Sequence, residues 1–176
     1  MESIEIGDNS GDLIAQLGHL CLGSRLKRLG ERLQSGVASQ LVSRGLAVQP
    51  GQLPLLWALR EEGPLPVGAL SARLGISQPG VSRIVAALQK DGLVIVTGVR
   101  RDKRQRRVAI SPAGDALMAD LSASLFPAVR DAVSALCDAA GPDFLNQIAR
   151  MEEALAVRSL DTRIAAAGAG GETRHG

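Results

Sequence analysis

Residues 65–111 constrain the fold more than any other stretch. Two apolar stripes of helical period sit either side of a three-residue break and lead directly into a basic hairpin. In LPVGALSARLGISQPGVSRIVAALQKDGLV, Val67, Leu70 and Leu74 put one apolar face on a first helix. Gly75-Ile76-Ser77 ends that helix and starts another, since glycine accepts the left-handed conformation that closes a helix and serine is a good N-cap. Val81, Ile84, Val85 and Leu88 then recur at i, i+3, i+4 and i+7, a single stripe to bury. Ser77 at the cap, with Gln78, Pro79, Gly80, Ser82 and Arg83, is left on the outer side of the first turns. A two-stranded hairpin follows, its tip carrying Arg100, Arg101, Asp102, Lys103 and Arg104. The spacing predicts a helix-turn-helix over 67–90 and a wing over 93–111.

The location of charge says more than its total, which is only +2. Residues 67–111 hold nine Lys/Arg against Asp91 and Asp102, a net +7, whereas 1–66 carry −1 and 112–176 carry −4. A run of charge on an arbitrary hairpin is usually a solvated face. Here the cations fall on the segment whose helix pattern, in a helix-turn-helix, presents its second helix to a DNA major groove, N-terminal residues first. Double-stranded DNA is therefore the expected partner.

The remaining composition bounds the architecture. At 176 residues the chain suits one domain, or one domain with an appended helical part. Trp57, Phe126 and Phe144 are the only aromatic residues, so the core must be built from Leu, Val, Ile and Ala. No apolar run approaches the roughly 18 residues of a membrane span. The start, MESIEIGDNSGD, is acidic and lacks the basic and apolar regions of a secretion signal. With two cysteines and no disulfide framework, the expectation is a reduced, cytoplasmic protein without a membrane partner. Residues 1–11 and 161–176 are expected to be flexible ends.

Leucines at steps of three and four run from Leu13 through Leu41, predicting an amphipathic helix over 12–44 that Gly30 and Gly36 can bend. A further helix spans Gln52 to Glu62 and stops at Gly63-Pro64, with Leu65 in a very short strand that closes the wing sheet. Ser111-Pro112 starts a long helix, Ser as N-cap and Pro in the first turn, carrying Leu117, Leu121, Leu125, Val129, Val133 and Leu136. Pro127 is expected to kink it. Phe144, Ile148, Met151 and Leu155 mark a last helix, so that 112–158 is helical. These terminal helices exceed what a winged helix needs. One reading makes them a larger monomer core; the preferred one makes them dimerisation helices, because such modules bind operators as symmetric pairs. The fold class is mainly α with a small β-wing (α+β): a winged helix-turn-helix flanked by N- and C-terminal dimerisation helices, one domain over 12–160.

With this layout the sequence resembles the MarR family of bacterial transcriptional regulators, over roughly residues 13–158. The carriers are PLLWALREEGPLPVGALSARLGISQPGVSRIVAALQKDGLV and the later SPAGDAL. The resemblance implies a homodimeric regulator, with repression the expected output, on a pseudo-palindromic operator. Its recognition helix, matching Gln78 to Lys90, would enter the major groove and its wing the minor groove. The wing signature, usually Asp followed by two Arg, matches Asp102-Lys103-Arg104; lysine in second place is a departure, since only arginine forks in a narrow groove. The resemblance also implies a small-molecule effector between dimerisation helices and winged helix. His19, Arg25 and Trp57 are candidates to line that cleft, although Trp57 as core and Arg25 as an interface pair fit equally. Some relatives sense peroxide through a cysteine on the first helix, which makes Cys21 a candidate redox residue, against its reading as a small buried hydrophobe and the lack of any Tyr.

No catalytic constellation, metal site or cofactor is expected. His19 and Cys21 lie two apart on a helix and face different ways, with no second pair to complete a zinc site. Besides the DNA-binding regulator, two alternatives stand. One is a thiol-based redox sensor using Cys21. The other is a winged-helix protein-interaction module, which an acidic or apolar recognition face would indicate.

Overall fold

The turn signals punctuate the chain where the spacing places them in a computed structural model that describes residues 11–98 and 106–169. The chain forms two compact units that divide between Leu125 and Phe126.

In the first unit, α1 (Leu13–Gln16) and a 3-10 turn (Gly18–Cys21) precede α2 (Leu22–Ser43). The single helix expected over 12–44 is thus broken, and at an unexpected place. Gly30 and Gly36 sit inside uninterrupted helix, whereas Gly18 takes φ +50°, outside the helical range. Asp12 caps α1, accepting from the Ala15 backbone N–H. A 3-10 turn (Pro50–Gln52) leads into α3 (Leu53–Glu62), its start closed by Gln49 N–H donating to Gln52 Oε1 at 2.8 Å. Then come β1 (Leu65–Pro66), α4 (Val67–Leu74), α5 (Gln78–Lys90), β2 (Val94–Thr97), β3 (Arg107–Ile110) and α6 (Pro112–Ser124). The strands form one antiparallel sheet in the order β1-β3-β2, with Leu65 opposite Val108 and Val94 opposite Ile110.

The core of this unit is built from the predicted stripes. Leu41 of α2, Leu55, Leu56 and Leu59 of α3, and Leu70 of α4 are buried with Val81, Val85 and Leu88 of α5. Val94 and Val108 of the sheet, Met118 and Leu121 of α6, and Leu125 are buried as well. Arg60 of α3 spans to α6, pairing with Asp115 at 3.0 Å and donating to Ser122 Oγ at 3.4 Å.

In the second unit, α7 (Phe126–Ala140), α8 (Phe144–Val157) and α9 (Leu160–Ala169) contain no buried residue among those described. The helix expected to run through Pro127 with a kink instead ends at Ser124 and restarts at Phe126. Proline cannot donate to the carbonyl four residues back and its ring crowds that turn, so it is tolerated only near the start of a new helix. The flexible tail expected over 161–176 begins as helix through Ala169, and the single domain expected over 12–160 is divided at Leu125.

Candidate nucleic-acid interface

The second helix of the helix-turn-helix is held at both ends. At its start, Gly75 adopts φ +64°, which a side chain would strain. Ser71 Oγ donates to the Ile76 carbonyl at 2.6 Å, tying α4 across the turn, and Ser77 Oγ accepts from the Gly80 N–H at 3.3 Å, capping α5. At its end, Ser111 Oγ donates to the Gly92 carbonyl at 2.6 Å while accepting from the Gly114 N–H at 3.0 Å, and Ser111 N–H donates to the Leu93 carbonyl at 3.0 Å. One buried serine thereby caps α6 and fixes the loop leaving α5. Gly114 is required by the same approach: a Cβ there would overlap the Leu93 carbonyl oxygen and stand 2.9 Å from Ile110 Cγ1.

Burial divides α5 as its periodicity predicts. Val81, Val85 and Leu88 are buried and Ile84 is half-buried, while Gln78, Pro79, Ser82 and Arg83 are exposed with Ser77, and Gly80 is half-buried. At about 100° per residue the exposed positions form two stripes. Pro79, Arg83 and Lys90 lie opposite the core, whereas Gln78, Ser82 and Gln89 lie about 100° round the helix. The second stripe faces the sheet and, with Val67, Val85, Ala86, Val96, Arg106 and Val108, lines a groove of about 430 Å³. Strand alternation explains the far wall: Val108 and Arg106 point into the groove, and Arg107 points away, its Nη1 donating to the Pro64 carbonyl at 3.0 Å.

Gln89 and Arg106 were not singled out from the sequence, although counting back two residues from the apolar Val108 identifies Arg106. Arg100, Arg101, Asp102, Lys103 and Arg104 lie outside the described residues. The arrangement offers amide and hydroxyl groups and a guanidinium on the exposed side of α5, beside the three-stranded sheet. Such groups hydrogen-bond base edges and phosphate oxygens.

Of the candidate effector residues, His19 and Arg25 are exposed and Trp57 is 45% exposed on α3; none of the three lines the groove beside α5 or a depression between α7 and α8. Arg28, not Arg25, is the anchored arginine of α2. Its guanidinium donates to Asp12 through both terminal nitrogens, Nη1 at 3.0 Å and Nη2 at 2.5 Å, and holds that carboxyl below its ordinary pKa. Cys21 is half-buried at the N-terminal edge of α2, and Cys137 lines the α7–α8 depression; neither forms a disulfide. Among the described residues no group of three or more His, Cys, Asp or Glu could hold a metal, and no helix is long and apolar enough to cross a membrane.

The sequence profile of the MarR family matches residues 44–105, a span that includes α3 to α5 and β2. In structure the chain is similar to BpsR of Bordetella bronchiseptica, whose DNA binding is regulated by 6-hydroxynicotinic acid, at TM-score 0.58 and 20% identity over 77% of this chain and 92% of that one. It is similar to a MarR family transcriptional regulator from Silicibacter pomeroyi, at TM-score 0.57 and 24% identity over 86% and 96%. Similarity extends to the transcriptional regulator BldR of Sulfolobus solfataricus, at TM-score 0.57 and 19% identity over 78% and 94%. No curated protein matches it in sequence.

Proposed function

We propose that the protein is a regulator of the MarR family, whose profile its winged helix matches over residues 44–105, and that it acts as a homodimeric repressor on a pseudo-palindromic DNA site. The observation that carries the proposal is α5 itself. Its apolar stripe is buried, its polar N-terminal half is exposed, and both of its ends are locked by serine hydrogen bonds. A helix so fixed has the rigidity that base recognition needs. In this reading α5 enters the major groove with Ser77, Gln78, Pro79, Gly80, Ser82 and Arg83 leading, and Arg83 forks onto a guanine edge. The tip, Arg100, Arg101, Asp102, Lys103 and Arg104, supplies cations to the adjacent minor groove and its phosphates.

The homodimer is supported by apolar faces that a single chain leaves open. Leu26, Leu29 and Leu33 of α2 are 43%, 44% and 38% exposed, and Met151 and Leu155 of α8 are 44% and 47% exposed. A small-molecule effector enters by analogy with BpsR and 6-hydroxynicotinic acid. The protein-interaction alternative loses ground, because the exposed side of α5 carries Arg83 and Lys90 and no acid.

The test is anisotropy titration of the full chain against duplex DNA from upstream of its own gene and a scrambled duplex of equal length, repeated with 6-hydroxynicotinic acid and with peroxide. The upstream duplex should bind more tightly, and Arg83→Ala should cost about 1–3 kcal/mol there and relax base preference. Equal binding of both duplexes by the parent would remove the regulator reading.

A further inference from the structure

We propose that the groove between α5 and the wing sheet seats the sugar–phosphate backbone of one DNA strand, with Arg106 and Gln89 as phosphate contacts. The proposal rests on the DNA-binding reading above and assigns the groove a separate task within it. A helix in the major groove and a wing in the neighbouring minor groove must straddle the strand that divides those grooves. The space between helix and wing is therefore where that strand runs.

The lining fits a backbone and not a base edge. Its floor is aliphatic: half-buried Val67 and Val96, lying over the buried Val85 and Val108, offer a surface for the apolar faces of deoxyribose. Its rim offers the Gln78 and Gln89 amides, the Ser82 hydroxyl and the Arg106 guanidinium, all able to donate to phosphate oxygen. Among the described residues the lining carries one cation and no carboxylate, so its charge complements an anion and repels none. Strand alternation puts Arg106, and not its neighbour Arg107, on this side. The two stripes of α5 then divide the work. Arg83, opposite the core, reads sequence, and Gln78, Ser82 and Gln89 hold register on the backbone.

Phosphate contacts carry no sequence information, so the two stripes give different signatures. Arg106→Ala, Arg106→Lys and Gln89→Ala would be titrated beside the parent on the upstream and scrambled duplexes, from about 50 to about 200 mM salt. Arg106→Ala should weaken both duplexes about tenfold, leave their affinity ratio unchanged and lower the log–log salt slope by roughly 0.9. Arg106→Lys should restore the slope. Gln89→Ala should weaken both duplexes equally with the slope unchanged. A changed affinity ratio, or parental affinity and slope in Arg106→Ala, overturns the groove assignment while Arg83 retains its role. A parent that binds neither duplex overturns the DNA-binding reading and this inference together.

Discussion

The winged helix and the C-terminal helices use the same leucine-rich vocabulary to opposite effect. Between Leu41 and Leu125, side chains from α2 through α6 bury one another until Leu41, Leu55, Leu56 and Leu70 have no exposed surface. From Phe126 to Ala169 no described side chain is buried, and Leu136, Leu145, Leu155 and Leu160 stand 60%, 66%, 47% and 60% exposed. Helical period alone does not make a core; a stripe needs a surface to meet. The first region supplies its own and can hold α5 in place. The second leaves its stripes open, which in our account a second copy covers.

The sharpest way to break this contrast is the same substitution in each region. Leu56→Ala should cost about 2–5 kcal/mol at every protein concentration, since it empties a closed site. Leu155→Ala should cost no more than about 1 kcal/mol in dilute solution, and its larger effect should appear as a concentration-dependent midpoint. Denaturant titrations at two widely separated concentrations check both; equal, concentration-independent losses would erase the distinction between the regions.

Gly114→Ala sharpens the account of how the first region fixes α5. The added methyl must displace the Leu93 carbonyl or Ile110, so stability should fall by about 1–3 kcal/mol and discrimination between upstream and scrambled DNA should fall with it. Retained discrimination in the variant would detach the Ser111–Gly114 lock from recognition.

The smallest expected effect lies at the Asp12–Arg28 pair, which ties the cap of α1 to α2. Arg28 lowers the folded pKa of Asp12 below 3.8. A lowered carboxylate pKa stabilises the fold above the unfolded value, and that stabilisation is lost as pH falls through the folded value. The midpoint difference between parent and Asp12→Asn should therefore be present near about pH 6 and vanish well below the carboxylate range. Thermal scans across pH check this, and a difference that grows on acidification would contradict it.

What the sequence revealed and concealed follows the same divide. Burial of Val81, Val85 and Leu88, the left-handed Gly75 and the caps at Ser77 and Ser111 were legible, because each rests on local spacing or turn chemistry. The break at Leu125 was hidden, since Leu121, Leu125 and Val129 keep helical period across it and only Pro127 marks the restart. The start of α9 was also concealed, since the helix-forming Ala165, Ala166 and Ala167 stand next to a glycine-rich stretch from Gly168 onward that disfavours helix. Strand alternation from Val108 could have singled out Arg106, but the groove beside α5 depends on which strand face meets the helix, a tertiary relation that no local pattern carries.

The central claim is that the open apolar faces are covered by a second copy, which sets two recognition helices about 34 Å apart, one DNA turn. Sedimentation velocity of the full chain beside a Met151→Glu/Leu155→Glu variant, each with and without upstream DNA, tests it most directly. The parent should be a dimer that forms a two-chain complex on the duplex. The variant should be a monomer whose winged helix still unfolds cooperatively but which retains only weak, sequence-indifferent binding. A full-length chain that sediments as a monomer and still binds the upstream duplex tightly would contradict it.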